Sequence, residues 1–342
     1  MLQKKISVII PVHNSQQYLS RCLKSVSEQT YRNIEIILVN DNSSDSSEDV
    51  ALQWRKNDKR VICLSVDNRN AALTRRDGLK ASSGEYVCFV DSDDVVHESY
   101  VQSMYEAITT SGASIVTSKI ATFNNENEIG DIAVGRGGIE FAENPAQYFF
   151  DHYHWDMRGD FVAQSINAKL FKRKTLEDID YGVLKSNVLE DNFILPQILN
   201  NVKDEKVAMI DNVMYYYRLT QDSTMRGVLN KKIPYGNREM EYTELFEIAM
   251  DYIHNVFSWY VDIDKCIYKL KSSEYLSMAK SIVAKNMQID SLESEQIRLL
   301  EDNNTLRAEL QSIKESKTYT TSQKIVAPVR KLKDTVRHIR TK

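Results

Sequence analysis

The chain has 342 residues, 42% of them hydrophobic and 27% charged, with a formal net charge of −4. These are the proportions of an ordinary folded protein of one large or two modest domains, and the charge singles out no partner. No apolar run approaches the ~20 residues of a bilayer-spanning helix, and the four cysteines (Cys22, Cys63, Cys88, Cys266) lack the C-x-x-C spacing of a disulfide framework or zinc site.

Residues 6–10 form a β-branched apolar run that stops at Pro11, too short for the core of a signal peptide, so a cytosolic protein is expected. Residues 18–28 carry Leu19, Cys22, Leu23 and Val26 at helical spacing. A second strand at 34–39 runs into Asn40-Asp41-Asn42-Ser43-Ser44. Asp45 with Glu48 three residues on has the form of a capping box, opening a helix whose apolar face includes Val50 and Trp54. A third strand is expected at 61–66 and a helix at 71–81. After Gly84, the apolar run Tyr86-Val87-Cys88-Phe89-Val90 leads directly into Asp91-Ser92-Asp93-Asp94. Tyr100, Met104 and Ile108 mark one face of a further helix that closes near Gly112. Such alternation predicts an α/β fold, Rossmann-like, with a mainly parallel sheet and flanking helices.

Residues 113–122 read as a strand, and the polar, glycine-containing stretch 123–145 as a loop or flap. Residues 162–176 and 187–199 and the strand-like 207–217 complete a second half. A helical, Tyr-rich pattern over 233–286 suggests an appended bundle, and a heptad seam follows. Ile289, Gln296, Asn303 and Leu310 take its a positions; Leu292, Leu299, Leu306 and Ile313 take its d positions. Leu at successive d sites suits a parallel homodimeric coiled coil. Residues 324–342 hold seven Lys or Arg against one Asp, mixed with Ile325, Val326, Val329, Leu332, Val336 and Ile339. That mixture suits an anionic membrane surface. Stacking aromatics are not interleaved with these basic residues, so nucleic acid is not an expected partner.

The chemistry concentrates in four segments: Pro11-Val12-His13-Asn14, Asn40-Asp41-Asn42-Ser43-Ser44-Asp45, Asp91-Ser92-Asp93-Asp94 and Leu189-Glu190-Asp191-Asn192. The first three each follow a strand directly, so a parallel sheet gathers them along its C-terminal edge, where ligands of open α/β sheets bind. Crowded carboxylates at that edge raise one another's pKa unless a cation compensates, which invites a hard divalent metal. Neither G-x-G-x-x-G nor G-x-x-x-x-G-K-[ST] occurs, against a dinucleotide-binding dehydrogenase or a P-loop NTPase.

These segments, with Arg75-Arg76-Asp77-Gly78-Leu79, Gly84-Glu85-Tyr86, Tyr217-Arg218 and Ser223-Thr224 in the same order, resemble an inverting family 2 glycosyltransferase with the GT-A fold over residues 6–226. The resemblance implies a GT-A domain at 1–226, with a nucleotide-binding half (1–122) and an acceptor half (123–226). A helical extension (227–286), a coiled-coil segment (287–316) and a basic amphipathic tail (317–342) follow. It also implies roles. Pro11 and Asn14 shape the floor under a base, Asp41 accepts the imide N–H of uracil, and Asn68 and Arg75 complete the base and ribose-phosphate wall. Asp91, with Ser92, contacts the ribose or donor sugar. Asp93 binds Mn²⁺ or Mg²⁺ across the diphosphate, Asp94 is left to cap the next helix, and Arg218 and Ser223 reach the phosphates. Asp191 is the general base that deprotonates the acceptor hydroxyl, with Glu190 its competitor and a helix N-terminus expected to hold its pKa down.

Departures are Asn70 where the family has glycine, Thr74-Arg75-Arg76 for Ala-Arg-Asn, and His13 before Asn14. The lost glycine is expected to narrow or reshape the backbone near the donor. With no Q-x-x-R-W segment, single-sugar addition is the expectation: a UDP-sugar donor and a glycan or lipid-linked glycan acceptor, at the inner face of the cell membrane. A sugar nucleotidyltransferase and a non-catalytic scaffold presenting the coiled coil are the competing readings. The first would need a Gly-rich, basic phosphate loop near the N-terminus, and the retained Asp93 and Asp191 speak against the second.

Overall fold

Four strands build the first half of the sheet: β1 (Ile6–Val12), β2 (Ile34–Asp41), β3 (Val61–Val66) and β4 (Tyr86–Phe89), all parallel in the order β3-β2-β1-β4. The computed structural model describes residues 3–131, 135–153, 161–219 and 232–273. All fall in one compact unit, Met1–Glu274; a second, Tyr275–Lys342, lies outside the described residues, and with it the heptads at 289–313 and the basic tail.

β2 is buried throughout and β1 nearly so, because helices cover both faces. That is why these strands read as continuous apolar runs rather than as alternation. On one face Val8, Ile10, Ile36 and Leu38 share a core with α1 (Leu19–Ser27) and α4 (Tyr100–Ser111), which Gly112 closes at φ 75°. Beside them α2 (Ser47–Asn57) packs on β3. On the other face α3 (Ala71–Ala81) lies on β1 and β2. There Gly78 comes so close that a Cβ would meet Ile9 Cγ2 at 2.5 Å and Val39 Cγ2 at 3.0 Å.

The second half of the sheet is mixed. β8 (Lys169–Lys172) runs antiparallel between β4 and β6 (Ile115–Phe123), and the long β9 (Val207–Arg218) is parallel to β6 but antiparallel to β5 (Val95–Val96) and β7 (Gly135–Ala142). Helices α5 (Pro145–Asp151), α6 (Asp191–Asn200) and α7 (Tyr242–Val256) pack beside it, and residues 263–273 are also helical.

Several expectations are corrected. β1 continues through Pro11 to Val12. The Ile9 carbonyl accepts from Val90 N–H, so position 11 faces the same flank, where β4 has already ended and no donor is needed. Residues 123–145 are not a plain loop. They hold a 3-10 turn (Glu126–Asp131) and β7, whose glycines at φ 108°, 77° and 130° absorb a register shift against β9. Residues 233–240 form a hairpin, β10 (Ile233–Tyr235) and β11 (Arg238–Met240), turned at Gly236-Asn237, rather than the start of a bundle. The capping box is not made: α2 starts at Ser47, Asp45 accepts from the N–H groups of Ser47 and Gln16, and Glu48 takes the Ser65 hydroxyl.

Candidate active site

The parallel register brings the ends of β1, β2 and β4 to one edge, where their loops are stitched together. Asn14, at φ 49°, accepts from Ser44 N–H (2.8 Å), and its own N–H donates to Ser43 Oγ (3.0 Å). Ser92 and Ser15 share a buried hydroxyl–hydroxyl bond of 2.7 Å. His13 Nδ1 bonds the Asp41 carbonyl.

Asp41 sits differently from its expected role. It is 4% exposed, and its Oδ1 accepts from Asn68 N–H (2.7 Å) and Arg69 N–H (2.9 Å), its Oδ2 from Asn70 N–H (3.2 Å) and Thr74 Oγ1 (2.7 Å). With its lone pairs turned to these groups, Asp41 folds the wall at 68–70 rather than standing free at the edge. Asn68 is drawn into the same wall, its amide donating to Asp77. Asn70 is extended (φ −153°), a conformation any residue adopts, so the family's glycine is not needed there; Arg69 takes the left-handed turn at 52°. Asn70 instead N-caps α3 through Leu73 N–H and donates to Ser186 O (3.1 Å) and Asn187 Oδ1 (3.0 Å), tying the start of α3 to the segment before α6.

Arg75 is the hub of the edge. Its buried guanidinium reaches Asp91 Oδ1 at 2.8 Å, Asp191 Oδ1 at 3.4 Å and Glu190 Oε1 at 3.8 Å. Burial works against its charge, but the three carboxylates outweigh that and raise its pKa. One guanidinium does not neutralise three carboxylates. Burial, then the neighbouring Asp191, pushes Glu190 up to about 7 against the pull of Arg75. Burial also raises Asp191, opposed by Arg75 and by Ile166 N–H, which donates to its Oδ2 at 3.1 Å. Glu190 and Asp191 do open α6 as expected, but desolvation prevails over the helix terminus and their pKa values go up, not down. Their side chains and that of Asp91 keep 19–27% exposure, enough to meet a ligand.

The acidic tetrad divides. Asp91 is held by Arg75 on one oxygen and by Asn167 Nδ2 (2.7 Å) on the other. Asp93 has no side-chain partner among the described residues, and burial together with Asp91 pushes it up to about 6. Asp94 is wholly buried and does not cap α4, whose N-cap is Ser99; it accepts from Tyr215 Oη (2.6 Å) and Arg218 N–H (2.8 Å). Arg218 likewise departs from its expected place at the phosphates. It is buried between the rings of Tyr18 and Phe123, donating to Asp93 O (2.7 Å) and Glu126 (3.0 Å). Ser223 lies outside the described residues. Sequence reasoning missed Ile166 and Asn167: a backbone donor leaves no letter in the sequence, and the only signal was a polar residue opening the apolar run of β8.

A sequence profile described as glycosyl transferase family 2 matches residues 7–179. The chain belongs to glycosyl transferase family 2. The glycosyltransferase GlyA of Streptococcus pneumoniae is 31% identical over 227 residues, 66% of this chain but 32% of that protein. The poly(ribitol-phosphate) beta-glucosyltransferase of Bacillus spizizenii is 36% identical over 233 residues, 66% of this chain and 34% of that protein. The chain thus spans about a third of the length of these two relatives. Among solved structures, Staphylococcus aureus TarS 1-349 in complex with UDP-GlcNAc aligns with a TM-score of 0.54 at 18% identity, covering 74% of this chain and 66% of that one. This likeness is one of fold, and the fold is GT-A. Among the described residues no helix is long and apolar enough to cross a membrane.

Proposed function

We propose that this family 2 protein transfers a single sugar from a UDP-sugar to a hydroxyl of a surface glycan, with inversion at the anomeric carbon. The observation that carries the reading is the convergence of Asp91, Glu190 and Asp191 on Arg75 at the sheet's C-terminal edge, two residues from an unpartnered Asp93. Asp191 is the general base: its carboxylate, held by Ile166 N–H and Arg75, takes the acceptor proton as the hydroxyl attacks in line from the face opposite the departing diphosphate. Its raised pKa adds basicity to that task. Arg75 and Asn167 fix Asp91 against the donor sugar or ribose.

Among the described residues no three or more His, Cys, Asp or Glu form a ready-made metal cage. Asp93 fits a cation that takes most of its ligands from phosphate and water. Held by Asp93, Mn²⁺ or Mg²⁺ supplies the positive charge that neutralises the leaving diphosphate. The UDP donor is supported by the UDP-GlcNAc bound to the TarS fold neighbour, and a polymeric surface acceptor by the relative named for poly(ribitol-phosphate). The heptads at 289–313 complete this reading as a dimerising spacer and the tail at 324–342 as an anionic-membrane contact.

The test is sugar transfer and donor hydrolysis over a panel of nucleotide sugars, with and without Mn²⁺ or chelator, in wild type and Asp93→Ala. Turnover of a UDP-sugar that collapses on chelation and in the variant is expected. Turnover indifferent to both removes the metal assignment, and no turnover with any donor removes the enzyme reading.

A further inference from the structure

Lys169 on β8 is 0% exposed, although an ammonium is costly to withdraw from water and lysine is almost never fully buried without a partner. Its Nζ donates to the carbonyls of Val162 (2.8 Å), Ser165 and Asn167 (3.4 Å), one acceptor for each ammonium hydrogen. It also lies 5.7 Å from the centroid of the Tyr148 ring, a favourable place for a cation. All three carbonyls belong to one loop, residues 162–168. At its end Ala168 is held at φ 56°, a left-handed conformation disfavoured for a residue with a side chain, while its carbonyl accepts from Ser118 N–H at 3.0 Å.

The same loop turns two donors toward the acidic cluster. Ile166 N–H reaches Asp191 Oδ2 at 3.1 Å, and Asn167 Nδ2 reaches Asp91 Oδ2 at 2.7 Å. The ammonium gathers carbonyls flanking these donors, so the aim of both depends on where Lys169 sits. We propose that Lys169 is a positioning residue for transfer: by clamping the 162–168 carbonyls it points Ile166 N–H at the base Asp191 and the Asn167 amide at the donor-side Asp91. The proposal rests on Asp191 being the base.

Lys169 and Asp191 also feel each other's charge. Burial pushes Lys169 down to about 7 while Asp191 pushes it up, and Lys169 is among the groups that draw Asp191 down. Among the described residues, the other charged groups facing Asp191 are Arg75 from α3, Asp91 beyond β4, and Glu190 beside it. Among the described residues, the other titratable group packed against Lys169 is Tyr148 on α5, whose own pKa burial raises.

The test compares the full chain with Lys169→Met, Lys169→Gln and Asp191→Asn. It reads kcat and KM for transfer, the pH dependence of kcat/KM, UDP affinity by calorimetry, and thermal unfolding. Methionine keeps the length of the side chain but removes its charge and donors. It is expected to lower kcat about 30- to 100-fold, the scale of a small misplacement of a reacting group, while UDP affinity changes less than about threefold. Loss of the cation should also move the acid limb of kcat/KM up by about half a pH unit. Glutamine returns two donors without charge, so it should recover part of kcat but not the position of the limb. Wild-type kinetics in Lys169→Met overturn the proposal. So does loss of cooperative unfolding or of UDP binding in both variants, which makes Lys169 a packing residue. An inactive Asp191→Asn beside an unaffected Lys169→Met fails the positioning role alone; a fully active Asp191→Asn fails the base assignment and the proposal with it.

Discussion

At the N-terminal edge of the parallel strands, Glu35 is buried under Ser7 Oγ (2.6 Å), Ser83 N–H (2.6 Å), Gly84 N–H (3.1 Å) and the Lys5 ammonium. Burial opposes its charge, but Lys5, Ser7 and Ser83 outweigh it and hold its pKa down to about 2. At the opposite edge Glu190 shares one guanidinium with Asp91 and Asp191 and is pushed up to about 7. Burial raises the pKa of both carboxylates, so it does not account for their opposite directions. The supply of donors does. A saturated carboxylate is a fixed structural anion, whereas an undersupplied one retains affinity for a proton or a cation, which is what transfer chemistry uses. Asp41, at the same edge as Glu190, is like Glu35 in being met by backbone N–H groups.

The largest effect expected at the undersupplied edge is that of Asp191→Asn. Transfer should fall on the order of 10³-fold, within the range of general-base loss, with UDP affinity within about twofold; an equal loss of binding would make Asp191 a structural carboxylate like Glu35. Next is Arg75→Gln. Arg75 draws Glu190 and Asp191 down, so without it they hold protons to higher pH and the acid limb of kcat/KM moves upward. The folded state then binds more protons than the unfolded chain above pH ~4, so stability falls as pH rises. Urea melts should lose about 3–5 kcal/mol at pH 8, the scale of a broken buried ion pair, and recover part of it at pH 5. A pH-independent loss would mean packing, not charge.

Glu35→Gln tests the saturated edge. A depressed pKa contributes stability that is present above the ordinary glutamate value of 4.5 and is lost as pH falls through about 2. The variant should therefore be about 2–3 kcal/mol less stable at pH 7, converge with wild type in acid, and turn over normally per folded molecule. The smallest effect is expected for Asn70→Ala. It removes an N-cap and the bridge to Ser186 and Asn187, for about 1 kcal/mol in thermal unfolding and a kcat reduced a few-fold. An unchanged kcat would make the bridge purely structural.

The parallel half was legible because its strands are buried on both faces and write their position as apolar runs. β7 was not, since its glycines and half-exposed Ile139 and Phe141 form a strand only where β9 supplies the partner. Asp94 was misread for a related reason: spacing to α4 is local, whereas the Tyr215 and Arg218 donors that claim it come from the far end of the sheet. The clustered carboxylates could be picked out because they directly follow a strand or open a helix. Arg75 had been placed in the donor wall, but its grip on three carboxylates was hidden, because Asp91 and Glu190-Asp191 meet it only through the fold.

Gly78 sits about one turn beyond Arg75 on α3, at the point where the helix touches Ile9 and Val39. Its bare Cα sets how deep the helix rests, and so how far the guanidinium extends over the sheet's edge. A single added methyl there would lift the helix and carry Arg75 off its three carboxylates. The reach of Arg75 over the sheet's edge is therefore set in the hydrophobic interior, by an atom that is not there.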